Sequence, residues 1–471
     1  MKFHLLCLCS LIVTAAVRSQ TPAPDDDKES ANRIVEITSE AEAKVTLDPL
    51  VGAEIWTQTA EQVEADYAKK GFAWLSKTSK DRALIRPRRL MLKEEKKDSD
   101  GSSSVISYKT VKHSFELFGR PAQEVEIEFA EGKVASLSIS IWNKGDARQG
   151  ITEVRFKELV AMTVASMDPV IGVRGRDLGK DTSGAVRMSR WRWETPARLA
   201  QLEFSSSRDT DRSFQAEFLR LRLMPRTRSV AGTTAAAGAP RPMSNNLLKN
   251  IVKAENGDVY IGNVPMVDQG EKGYCAVAST ERVMRYYGLQ VDQHELAKAA
   301  ATTAGRGTNP SEFEDALHTM QGKLQVKMRD LINFERRDFE KLVQNYNREA
   351  KKLGGKSWAE GDYYFDANPD ILREARCRNG AYEKFRGYIV AATDRGMPLL
   401  WALHLGRYPE TGRENPQGGG GHMRTIIGYN AKTDEIIFSD SWGAGHEFKK
   451  MKGRDACGAT LGLYLVEPSN R

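Results

Sequence analysis

The chain has 471 residues, of which 40% are hydrophobic and 28% charged, with a formal net charge of +7. That length suits two or more domains of the usual ~100–200 residues, and the composition is that of a soluble globular protein. Lys and Arg are interleaved with Asp and Glu, so the mild basicity reads as solubility rather than a nucleic-acid footprint.

The first 19 residues read as a signal peptide. Lys2 is the charged start, Leu5 to Val17 the apolar core, and Val17-Arg-Ser19 a small-residue cleavage region. The apolar run falls short of the ~20 residues a membrane-spanning helix needs. The chain is therefore expected to be exported (secreted, periplasmic or at a cell surface), with no stable membrane span. Cys7 and Cys9 leave with the signal, so Cys275, Cys377 and Cys457 remain. An odd count leaves at least one thiol unpaired. Cys377 and Cys457 read equally well as a disulfide or as two ordinary thiols. Residues 20–45 are polar and expected to be a flexible leader.

Residues 46–225 read as a separate α+β domain. Thr59 to Leu75 has helical spacing through Val63, Tyr67 and Phe72. Ala122 to Phe129 alternates Val125, Ile127 and Phe129 against Glu124, Glu126 and Glu128. After a turn at Glu131-Gly132, Val134 to Trp142 alternates Leu137, Ile139 and Ile141 against Ser136, Ser138 and Ser140. This predicts a hairpin with one buried and one wet face. A helix is expected over 156–167, and strands over 190–194, 199–204 and 214–223. Trp191 and Trp193 share a strand face and read as core. Arg220 and Arg222 read as the solvated face of their strand. Residues 226–246 lack large apolar residues and any period, and read as a flexible linker open to proteolysis.

Residues 247–471 carry the chemistry. Gln269 to Gly273 reads as a loop. From Cys275, residues Ala276, Thr280, Val283, Met284 and Tyr287 fall at helical spacing, with Gly288 at the helix end. Cys275 thus heads a helix, where unpaired N–H groups and the macrodipole favour negative charge. Gln269 supplies a neutral N–H donor near it, suited to an oxyanion. Asp292 caps a second helix through Ala301, and Ser311-Glu-Phe-Glu314 reads as a capping box for a third. Residues 330–396 read as a helical insertion. Strands follow at 397–403, 424–429, 435–439 and 460–466. His422, after four glycines, opens the strand-like run that leads into the second of these, and Asp440 closes the third. Antiparallel neighbours would bring the two side chains together, the carboxylate fixing the imidazole tautomer so that the other nitrogen serves a thiol. His404 and His446 are competing bases without that strand-start context. Trp442 is placed to shield the Asp–His contact.

Gln269-x5-Cys275 at a helix start, then His422 on a strand, then Asp440-Ser-Trp442-Gly443, resembles the papain-like cysteine peptidase superfamily. Within it the Cys275 segment is most similar to the bacteriocin-processing, double-glycine-leader peptidases, down to Tyr287-Gly288. The chain departs from that family at Ala276, where Gly is frequent, and at Ser441, where Pro is frequent. The resemblance covers about 258–470. It implies a helical layer against an antiparallel sheet, a Cys275–His422–Asp440 triad with Gln269 in the oxyanion hole, and a peptide or protein substrate. No cofactor is implied, and the spacing of His and Cys predicts no metal site. A non-catalytic binding protein on the same frame and a transglutaminase-like acyl transfer are the alternatives; Gln269 and the intact triad favour the peptidase. Without an ATPase motif, a double-glycine preference is not implied. Oligomeric state is not legible.

Overall fold

The computed structural model describes residues 35–87, 89–97, 104–147, 149–182, 186–208, 211–226, 247–302, 307–308, 310–333, 336–359 and 366–469. The expected signal peptide, the first part of the leader and all but the first residue of the linker lie outside these.

The first half runs β1 (Val35–Thr46), α1 (Ala60–Tyr67), β2 (Phe72–Trp74), β3 (Arg82–Ile85), β4 (Arg89–Lys97), β5 (Ser104–Leu117), β6 (Arg120–Ala122), β7 (Glu124–Ala130), β8 (Lys133–Asn143), α2 (Glu153–Ile171), β9 (Arg176–Asp181), β10 (Met188–Glu194), β11 (Arg198–Arg208) and β12 (Phe214–Pro225). The second runs β13 (Ile251–Lys253), β14 (Asp258–Ile261), α3 (Cys275–Tyr286), α4 (Gln293–Ala299), α5 (Pro310–Leu324), β15 (Val326–Ile332), α6 (Arg336–Leu353), α7 (Pro369–Arg376), α8 (Ala381–Thr393), β16 (Leu399–Leu405), β17 (Gly420–Asn430), β18 (Glu435–Ser439), β19 (Lys449–Lys452), α9 (Gly453–Ala459) and β20 (Thr460–Pro468). The chain is α+β. Among the described residues no helix is long and apolar enough to cross a membrane.

Three sheets organise it. A small one orders β1-β5-β4, with β6 on β5. An antiparallel sheet of eight strands orders β2-β3-β7-β8-β12-β11-β10-β9. The third, antiparallel throughout, orders β13-β14-β17-β16-β20-β15, with β18 on β17 and β19 on β18. The alternating residues of the hairpin pair as their pattern requires, Val125 with Ile139 and Ile127 with Leu137, and all four are buried in the core under α1 and α2. Trp193 and Trp191 pack in the same core, and Trp193 donates its indole N–H to Asp168 at 2.7 Å.

Several expectations are corrected. Residues 35–45 of the leader are strand: β1 pairs in parallel with β5, which supplies the hydrogen-bonding edge that a polar composition does not reveal. The helix read over 59–75 stops at Tyr67. Gly71 follows at φ 93°, where a Cβ would lie 2.2 Å from the Arg86 carbonyl oxygen, and the chain turns there into β2. α5 begins at Pro310, so Ser311 lies inside its first turn and not at its cap. The helical insertion begins later than read, because β15 pairs with β20 through Ile332.

The largest correction concerns the wet faces. Glu124, Glu126 and Glu128 do not face solvent; they face the second half. Glu126 and Glu128 each meet Arg285 of α3 at 3.0 Å, and Glu126 meets Arg82 at 2.6 Å. Glu124 meets Arg86 at 3.1 Å and Lys272 at 3.6 Å. Arg220, only 2% exposed, pairs with Glu203 on its own sheet and with Asp292 and Glu295 of the second half. Polar alternation marks a face that avoids the apolar core, and here a second charged surface of opposite pattern covers it. Few apolar contacts cross this boundary; one is the cluster of Leu75 and Leu84 with Met266.

Candidate active site

Cys275 is the first residue of α3 and is partly exposed, while most of the helix behind it is buried. No side chain caps the helix, so no carboxylate or hydroxyl occupies the N–H groups of its first turn. The helix is tied to the third sheet beside the site: Ser279 Oγ donates to the Met423 carbonyl at 3.0 Å and lies 3.2 Å from Ser441 Oγ. Arg282, one turn on, donates to the carbonyls of Pro265 and Asp440, both at 2.9 Å. Burial lowers its pKa to about 10, which still leaves it charged at neutral pH.

His422 and Arg424 are alternate residues of β17 and so share one face. β18 pairs beside them, Thr425 against Ser439, and delivers Asp440 to that face. Asp440 Oδ1 accepts from His422 Nε2 at 3.1 Å and from Arg424 Nε at 2.7 Å, and all three side chains are fully buried. Lys449 Nζ lies 3.4 Å from the other oxygen. Burial would raise the Asp440 pKa, but Arg424, the bond to His422 and Lys449 hold it well below the carboxylate range. Behind them Glu410 takes Arg424 at 2.7 Å and Lys449 at 2.6 Å. Alternating charge is what lets so many buried ions coexist.

With Nε2 committed to Asp440, Nδ1 of His422 is the nitrogen left for a thiol. It is buried and closes no other hydrogen bond. Burial works against a charged imidazole, yet the bond to Asp440 and the nearby Cys275 thiol outweigh it, and the His422 pKa lies above its ordinary value of 6.5. Trp442 lies flat on His422, ring centroids 4.3 Å apart and planes 6° from parallel.

Gln269 is held by the strand-like contact of its loop with the Trp442 loop. Its N–H donates to the Ser441 carbonyl at 2.8 Å, and Asp268 bridges Trp442. The buried carboxamide makes one long bond, Nε2 to the Lys272 carbonyl at 3.4 Å, leaving donor capacity free. Gly270, at φ 70°, turns the loop directly under Arg86, where a Cβ would meet the guanidinium at 2.7 Å.

Neither competing histidine fits a base. His404 accepts at Nδ1 from Arg407 Nε, 2.8 Å away, and burial with Arg407 and Arg376 lowers its pKa to about 3. His446 packs edge-on to Trp442, and burial lowers it to about 4. Cys377 and Cys457 are buried free thiols in mutual contact, not a disulfide.

Sequence reasoning missed Arg424, Lys449, Glu410 and Arg282. Arg424 was findable, since residue i+2 of a strand shares the face of residue i. Glu410 and Lys449 come from a loop and another strand, and nothing local announces them.

Residues 261–457 match the family model described as the Peptidase_C39 like family. No curated protein matches the chain.

Proposed function

We propose that this protein, a relative of the bacteriocin-processing peptidases through residues 261–457, is an exported cysteine peptidase of papain-like arrangement. Residues 46–225, with β1 added in front of them, are its separate α+β domain. The observation that carries the reading is His422, bonded through Nε2 to Asp440, coupled to Cys275 and roofed by Trp442.

The Cys275 sulfur attacks the carbonyl carbon of a peptide bond, and the carbonyl oxygen becomes an oxyanion held by Gln269 Nε2 and the Cys275 backbone N–H. His422 carries the thiol proton at Nδ1 and gives it to the departing amine as the C–N bond breaks. Water, giving its proton back to His422, then attacks the acyl-enzyme thioester and releases the acid and the thiol. Asp440 keeps the ring oriented and offsets its charge without taking the proton. The raised His422 pKa suits this role, since it favours the imidazolium that donates to the departing amine.

The test is iodoacetamide labelling of the mature protein across pH, read by intact and peptide mass, in wild type and His422→Ala. Rapid labelling confined to Cys275 at about pH 6, where an ordinary thiol of pKa ~8.5 reacts slowly, and lost in His422→Ala, supports the activated pair. Slow labelling indifferent to His422 moves the reading to a binding protein on the same frame.

A further inference from the structure

We propose that a pocket beside the triad is a subsite for acidic side chains of the peptide substrate; this rests on the peptidase reading and names its substrate class. The pocket has a volume of about 400 Å³. One wall is the end of β2 and the segment after it, with Trp74, Lys77 and Lys80. The other is the catalytic half, with Asp268, Arg413 and Trp442. Trp442 is the ring stacked on His422, and Asp268 directly precedes Gln269, so the pocket adjoins the reacting centre. Its size is at the lower end of ligand sites, ~300–1,000 Å³.

Its charge is one-sided. Lys77, Lys80 and Arg413 are exposed cations, and among the described residues none of them meets a carboxylate. Lys80 Nζ stands 4.6 Å over the Trp74 ring, and Arg413 donates to the Ala444 carbonyl at 2.7 Å. The Lys77 and Arg413 side chains converge on Gly445. The carboxylates nearby are already engaged. Asp268 takes Arg86 at 3.1 Å and the Gly270 N–H at 2.9 Å; Glu447 takes the N–H groups of Lys77 and Gly445, both at 2.6 Å. Among the described residues the cations thus have no carboxylate partner, and two indole rings give a low-dielectric lining that strengthens their pull on an anion. A basic side chain would be repelled there. A neutral one would gain nothing from the three cations.

The experiment uses the full-length mature chain with Cys275→Ala, which binds without turnover. The probes are three octapeptides of one design carrying a net-neutral rhodamine, with Glu, Gln or Lys at the variable positions. Binding is read by anisotropy at low and moderate salt. The Glu peptide is expected to bind at least tenfold tighter than the Gln peptide, the Lys peptide weakest, with the advantage shrinking as salt rises. Adding Lys77→Glu and Arg413→Glu should abolish the advantage. Lys341→Glu with Lys351→Glu, an equal charge change on the exposed face of α6, should leave it intact. Equal binding of the three peptides, or equal loss in the α6 variant, overturns the subsite. Cys275 labelling in wild type reports separately on the triad: an acidic preference without His422-dependent labelling upholds the pocket and sinks the peptidase, and the reverse result sinks the pocket alone.

Discussion

Trp442 and His422 are stacked face to face, 4.3 Å between centroids, with Asp440 bonded at the ring edge. The indole keeps water off a hydrogen bond whose strength depends on a dry setting. Trp442→Ala should therefore lower the rate of Cys275 alkylation at pH 6 by about tenfold or more, while Trp442→Phe, which keeps a flat cover, should retain most of it. Equal loss in both variants would mean that the cover is not what matters.

Gln269 should act on the oxyanion and not on the thiol. Gln269→Ala is expected to lower kcat by roughly 10²–10³, the usual cost of one oxyanion donor. Its iodoacetamide labelling, which builds no oxyanion, should match wild type. Parallel loss of both activities would assign Gln269 to holding the loop instead.

Arg424 links Asp440 to Glu410 in a row whose Arg424 and Asp440 side chains are fully buried. Arg424→Met leaves two carboxylates facing each other with Lys449 alone between them, and should cost on the order of 3–5 kcal/mol of stability. Adding Glu410→Gln should recover part of this, as seen in the urea midpoint.

The buried ion cluster around Arg220 is expected to weaken in acid. Burial would raise the pKa of Glu203, but Arg220, Arg222 and Arg190 bring it from 4.5 down to about 2. A depressed carboxylate stabilises the folded form above its unfolded pKa and loses that contribution as pH falls through the folded one. For Glu203, whose side chain is 2% exposed, this is about 3 kcal/mol, lost between about pH 4.5 and 2. Urea midpoints measured from pH 7 to 2.5 should show the drop, and Glu203→Gln should flatten it while lowering the plateau.

Cleavage within 227–246 should leave the two halves associated. The ion pairs of Arg285, Lys272 and Arg220 across the boundary do not depend on that covalent link. The nicked protein is expected to elute as one species at low salt; separation into two would show that the link holds them.

Local pattern carried much of this architecture. Ile127 and Ile139 announce their hairpin, and Cys275, His422 and Asp440 stand in contexts that name a chemistry before any coordinate is known. What stayed hidden was non-local. β1 gives no strand signal of its own because its partner, β5, supplies the edge. Glu124, Glu126 and Arg220 look solvated because a sequence shows which residues avoid the core, not what else covers them. Lys449 reaches Asp440, and Glu410 reaches Lys449 and Arg424, through tertiary contacts alone.

Arg86 touches Glu124 of β7 at 3.1 Å and the backbone of Asp268, beside Gln269, at 3.0 Å. Its consequence is temporal. The first half leaves the ribosome before the second, and its apolar core is complete without any residue beyond Leu223. A first half that folds as it emerges would present Arg86, held by Glu124, to the loop bearing Gln269 as that loop is synthesised.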